Sequence, residues 1–180
     1  ADVLILEDYN KGVLTREVIA AAIQAAVGAD IPIVVDPKFR NIFEYRGTTV
    51  FKPNSLELTS ALGVPLQADD DEWLEAARQR FACANLLVTL GETGMVVRSD
   101  GATLRVPAIA REVYDVSGAG DTVTAFLAVA LAAGAEVEEA AILANFAAGI
   151  EVGKHGVAVV TPDEVRAAVA GRTPAVPAGD

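Results

Sequence analysis

Two rhythms of apolar residues alternate along the first half of this chain. Short β-branched and aliphatic runs at residues 3–6, 33–35, 49–51 and 86–89 are separated by stretches whose apolar positions recur at helical spacing. That alternation predicts an α/β protein with a mostly parallel sheet flanked by helices. The clearest helical stretch covers residues 15–27, where Val18, Ile19, Ala22, Ile23 and Ala26 share one face and Gly28 supplies the stop. Residues 71–84 also read as helix. Beyond residue 89 the rhythm changes: two short apolar segments, 95–98 and 103–106, flank Asp100-Gly101, which predicts a hairpin. Two alanine-rich helices are then predicted over 121–133 and 137–152, apolar around much of their circumference and hence largely buried. Thr161-Pro162-Asp163-Glu164 offers an N-cap, a proline at the first helical position and a glutamate at the third, which opens a last short helix.

Composition fits this picture and narrows the chemistry. With 180 residues, 52% of them hydrophobic, the chain can bury one substantial core. One unit over residues 1–170 is expected, with a flexible Pro/Ala/Gly tail over 171–180. The chain opens on Ala1 with an apolar run directly behind it, which predicts a start inside a fold. A formal charge of −11 argues against nucleic acid or anionic lipid as partners. Cys83 is the single cysteine, so neither an intrachain disulfide nor a cysteine-based zinc cluster is expected. With no bilayer-length apolar run and no signal-peptide pattern, a cytoplasmic location is expected. An anionic ligand would have to be held against the global field by backbone amides, a metal ion or a few placed lysines.

The glycine-rich turn Ser117-Gly118-Ala119-Gly120-Asp121, leading into an apolar helix, suits that task. Small residues let successive N–H groups converge, and a helix N-terminus favours phosphate oxygens. On local pattern alone, Asp121 reads as a residue that caps or favours the helix N-terminus. The turn lacks the Gly-Lys-Ser/Thr of a P-loop and the third glycine of a dinucleotide fingerprint, which lowers the case for a nicotinamide-dependent oxidoreductase. Asn54 and Glu57 have capping-box spacing, and the same amide and carboxylate suit hydrated magnesium. Thr89, Gly91 and Gly94 end a strand in a glycine-flanked turn, which on pattern alone is a connection. Lys11 and Lys38 follow predicted strand ends, where ligands of open α/β sheets collect, yet both also read as solvated surface lysines.

The segment Asp115-Val116-Ser117-Gly118-Ala119-Gly120-Asp121 closely resembles a motif of the ribokinase, or PfkB, family of carbohydrate kinases, with Ser117 in place of a commoner threonine. The resemblance implies a ribokinase-like fold, ATP and Mg2+ as cofactors, an anion hole from the amides of Gly118, Ala119 and Gly120, and Asp121 as the base that takes the proton of a sugar hydroxyl. It implies magnesium positioning by Asn54 and Glu57, through water, and nucleotide contacts at Thr89, Gly91 and Gly94. Asn145 matches a position near the adenine, and it equally suits a satisfied helical amide. Asp8-Tyr9-Asn10-Lys11-Gly12 and Asp36-Pro37-Lys38 resemble segments of the heptose 7-phosphate kinases that serve ADP-heptose synthesis. That narrower likeness implies Asp8, Lys11 and Lys38 as substrate or phosphate contacts.

The resemblance runs from Asp2 to about Val165 and matches the C-terminal portion of the family. The family's N-terminal part, with the glycine pair that holds the sugar and the strands of the lid, has no counterpart here. The leading reading is therefore an ATP-dependent sugar kinase acting on the anomeric hydroxyl of heptose 7-phosphate. A ribokinase- or fructokinase-like kinase of another sugar and a nucleotide-binding module without turnover are the alternatives. An unpaired sheet edge would favour a homo-oligomer.

Overall fold

The computed structural model describes residues 1–109, 118–154 and 158–171. Four parallel strands, β1 (Leu4–Glu7), β2 (Ile33–Asp36), β3 (Val50–Phe51) and β4 (Asn85–Thr89), lie side by side in chain order. β5 (Met95–Arg98) and β6 (Thr103–Val106) extend the sheet as the expected antiparallel hairpin around Asp100-Gly101.

The sheet is covered on both sides, which is why its strands read as continuous apolar runs. Alternate side chains of one strand enter different cores. Ile33 and Val35 of β2, Leu86 and Val88 of β4 and Val96 of β5 pack with Ile19, Leu58, Leu74 and Phe81 from helices α1 (Arg16–Gly28), α2 (Ser55–Leu62) and α3 (Asp71–Phe81). Val34, Leu87, Met95 and Val97 face the other way, onto Val123, Leu127, Ala140 and Ala144 of α4 (Ala119–Ala132) and α5 (Val137–Glu151). The last helix, α6 (Pro162–Ala170), docks on α5 through Val165 and begins at the Thr161–Glu164 capping box. Among the described residues no helix is long and apolar enough to cross a membrane.

Three local departures from the sequence pattern have physical causes. The β2–β3 connection, residues 37–49, carries no helix. Its apolar residues pack as an irregular strap instead: Ile42 and Tyr45 are buried, and Phe43 stacks on Phe81 with ring centroids 5.2 Å apart. Helix α3 stops at Phe81, because Ala82 adopts a left-handed φ of 51° and Arg78 donates to the carbonyls of Cys83 and Ala84. Cys83 thus lies past the helix, and burial pushes its thiol up to about 12. Helix α4 begins at Ala119, two residues earlier than the apolar rhythm indicates, since Gly118 supplies the left-handed start with a φ of 93°. Residues 110–117, including Asp115, Val116 and Ser117 of the glycine-rich motif, lie outside the described residues, as does the tail from 172 onward.

Gly94 shows how tightly the hairpin is joined to β4. Its φ is 104°, and a Cβ there would lie 2.1 Å from the Val106 carbonyl oxygen and 2.6 Å from the Ala108 nitrogen. Gly94→Ala is therefore expected to destabilise the protein by at least about 2 kcal/mol, read as a lowered urea midpoint with an unchanged slope.

Candidate active site

Strand register assembles the site. Glu7 and Asp36 are the last residues of β1 and β2 and are direct register partners. Val35 pairs with Phe51, so Lys52 follows beside Asp36, and its amide donates to the Val35 carbonyl at 2.8 Å. A row of Glu7, Asp36 and Lys52 therefore crosses the C-terminal ends of three parallel strands, where ligands of open α/β sheets bind.

The centre of this row is a buried ion pair. Lys52 Nζ lies 2.8 Å from Asp36 Oδ2, with side-chain exposures of 3% and 11%. Burial raises the Asp36 carboxyl above the ordinary range, and the lysine only partly offsets it. The Thr124 hydroxyl donates toward Asp36 Oδ2 at 3.3 Å and lies 3.0 Å from the Gly120 carbonyl, which ties the pair to the first turns of α4. A Cβ on Gly120 would lie 3.7 Å from Lys52 Nζ, so the glycine-rich start of α4 sits directly against the buried ammonium.

Asp121 stands in the first turn of α4. Its negative charge favours that helix end, and Gly118 at the N-cap offers no side chain to the leading amides, an arrangement in which a helix start can bind an anion. Asp121 Oδ2 instead accepts a hydrogen bond from the Tyr9 hydroxyl at 2.9 Å, and the same hydroxyl lies 3.2 Å from Glu7 Oε1. One oxygen each of Glu7, Asp36 and Asp121 lies within 4.8 Å of the others. Burial, reinforced by the charge of Asp121, raises the Glu7 carboxyl above its ordinary range. Lys52 already neutralises Asp36 in this trio.

On the neighbouring strand end, Asn54 and Glu57 form a reciprocal capping box at the start of α2: Glu57 N donates to Asn54 Oδ1 and Asn54 N to Glu57 Oε2, each at 2.9 Å. Lys38 donates to the other Glu57 oxygen. Partial burial would lower the lysine, but the bond and charge of Glu57 outweigh it and hold Lys38 above its ordinary range. Glu57 is only 2% exposed and both of its oxygens are engaged, so the pair fits a hydrated metal ion held through water better than a directly bound one.

The other candidates are placed unevenly. Thr89 closes β4 beside Asn54, and its carbonyl accepts from Ser55 Oγ at 3.1 Å. Gly91 is exposed in a 3-10 turn with a φ of 61°. Gly94 is buried in the hairpin contact described above. Asn145 is buried on α5 and donates to the Pro107 carbonyl at 2.8 Å, which fastens α5 to the segment after β6. Both Asp8 oxygens are occupied, by Asn10 N at 2.7 Å and the Tyr45 hydroxyl at 2.8 Å, so Asp8 shapes the turn after β1. Lys11 is exposed and forms no ion pair with a described residue.

Glu7, Tyr9, Asp36 and Lys52 were not among the residues that sequence pattern singled out for chemistry. A signal for three of them was present, since each is the first charged residue to end an otherwise apolar strand run.

The family model for pfkB family carbohydrate kinase matches residues 1–164. The chain is 51% identical over 172 residues to the bifunctional protein HldE of Azorhizobium caulinodans, covering 94% of this chain and 36% of that protein. It is 49% identical over 170 residues to the bifunctional protein HldE of Rhodospirillum rubrum, covering 92% and 34%. The chain thus spans about a third of the length of these relatives. In fold it is similar to Arabidopsis thaliana ribokinase complexed with ribose and ATP, with a TM-score of 0.81 at 23% identity, over 94% of this chain and 56% of that one. Escherichia coli phosphofructokinase-2 in complex with potassium gives 0.82 at 19% identity, over the same shares. The fold is ribokinase-like.

Replacing Lys52 by methionine would leave the Asp36 carboxylate buried without its cation. The expected loss is about 3–5 kcal/mol of stability near neutral pH. Because burial raises Asp36 in the folded state, the deficit should grow as pH rises through its titration and shrink in acid, where the carboxyl is protonated. Denaturant melts of K52M at about pH 5 and about pH 8 check the sign.

Proposed function

The chain belongs to the pfkB family of carbohydrate kinases, and from that membership we propose that it transfers the γ-phosphoryl group of ATP to a sugar hydroxyl, with Asp121 as the base. The observation that carries the reading is the position of Asp121 in the first turn of α4, against the strand-end row that contains Lys52. In the proposed reaction Asp121 accepts the hydroxyl proton as the sugar oxygen attacks the γ-phosphorus. The new O–P bond forms in line with the breaking bond to the β-phosphate oxygen, and ADP leaves.

The amides of Gly118, Ala119 and Gly120, backed by the buried Lys52, would stabilise the negative charge on the transferred oxygens. Magnesium, when bound, would neutralise charge on the β- and γ-phosphates, with Asn54 and Glu57 orienting its water shell. Thr89 and Gly91, at the end of β4, are the proposed nucleotide contacts. Gly94 and Asn145 serve the fold in this reading, and so does Asp8.

For the sugar, we propose heptose 7-phosphate, phosphorylated at its anomeric hydroxyl for ADP-heptose synthesis. The segments 8–12 and 36–38 and the identity with the two HldE proteins favour it. Lys38, beside Glu57 and within reach of the Asp121 charge, is the cation best placed to meet a phosphate.

The test is magnesium-dependent ATP turnover with heptose 7-phosphate, ribose and fructose compared. Turnover dependent on heptose 7-phosphate is expected, and Asp121→Ala should lower kcat by at least about a hundredfold while ATP still binds. Preference for another sugar would move the substrate assignment, and ATP binding without any turnover would favour a binding module. Full activity in the Asp121→Ala protein would sink the assignment of the base.

A further inference from the structure

Two features set Tyr9 apart from a packing residue. It is 54% exposed, so its ring contributes little to the core, yet its hydroxyl reaches two carboxylates, Asp121 Oδ2 at 2.9 Å and Glu7 Oε1 at 3.2 Å. Carboxylates this close repel each other, and such a pair ordinarily relieves the repulsion by holding one proton in common. A shared proton would occupy the base that the proposed reaction requires. A phenol between the two supplies a hydrogen bond without surrendering its proton. The bond to Asp121, desolvation and the Glu7 charge hold the Tyr9 hydroxyl well above the ordinary tyrosine range.

We propose that Tyr9 is a positioning residue for Asp121: its hydroxyl fixes Oδ2, lowers the pH at which the Glu7–Asp121 pair takes up a proton, and leaves Oδ1 to take the proton of the acceptor hydroxyl. This rests on the reading of Asp121 as the base. The Tyr9 bond falls on Oδ2 of Asp121, and the Asp121 side chain is exposed. The titratable groups around Asp121 among the described residues are Glu7 and Tyr9 from β1 and its turn, Asp36 from the end of β2, Lys38 just beyond it, and Lys52 after β3. Lys52 is committed to Asp36 and Lys38 to Glu57, so among the described residues Asp121 is met by the Tyr9 hydroxyl and, in its protonated form, by the Glu7 carboxyl.

The experiment compares the unmodified protein, Tyr9→Phe and Asp121→Asn. Because Tyr9 is exposed, Y9F should melt like the unmodified protein. It should lose about tenfold in kcat, the scale of a modest misplacement of a reacting group, with KM for ATP unchanged. Without the phenol the carboxylate pair takes up its shared proton at higher pH, so the acid limb of the rate profile should move upward. A second readout does not need turnover. The Tyr9 bond lowers the Glu7 carboxyl, so a carbon-13 titration of Glu7 should move to higher pH in Y9F. Unchanged kcat and acid limb in Y9F, with D121N inactive, overturn the role of Tyr9 and leave the base intact. Full turnover in D121N overturns both. A Glu7 titration that stays in place overturns the bridging hydroxyl even if no sugar is turned over.

Discussion

The Lys52–Asp36 ion pair is the contact on which the site depends. Asp36 ends β2 and Lys52 follows β3, so the pair joins the C-terminal ends of two parallel strands. Through Thr124 and Gly120 it also sets α4 against the sheet. A buried ion pair is a poor source of net stability, because desolvating both charges cancels most of their attraction. Its value here is geometric. It fixes where the glycine-rich start of α4 lies relative to the strand ends, and with it the position of Asp121.

Around that pair, opposite charges are matched at short range. Lys52 is balanced by Asp36 and Lys38 by Glu57, while Tyr9 mediates between Glu7 and Asp121. The candidate chemistry comes from four consecutive strand ends and one helix start, none of which holds a working set alone. Precision in such an arrangement comes from the sheet, since the strand register spaces Glu7, Asp36 and Lys52 without help from the loops.

How much of this could be read from the chain depends on whether the cause was local. The hairpin at Asp100-Gly101, the Asn54–Glu57 box and the Thr161–Glu164 box follow from a few neighbouring residues, and the structure reproduces them. The end of α3 was hidden, because an alanine in a left-handed conformation gives no signal and its stabiliser, Arg78, sits a turn earlier. The strap between β2 and β3 was also hidden, since Phe43 and Tyr45 find their partners in α3 and the turn after β1. The same limit explains Tyr9, whose partner Asp121 is 112 positions away. The packing of α4 on the sheet, which no short pattern encodes, made them neighbours.

The pairing of both site lysines has a consequence for the speed of encounter. The chain carries a net charge of −11, and among the described residues the site lysines Lys52 and Lys38 are each cancelled by a partner within hydrogen-bonding distance. At long range an approaching anion therefore meets repulsion, and in the proposed reading only within the last few ångströms would the amides at the glycine-rich start of α4 attract it. Ionic strength should then act in reverse of its usual effect on steered association: added salt would hasten the arrival of an anionic ligand by screening the body of the protein, until it began to weaken the short-range hold as well.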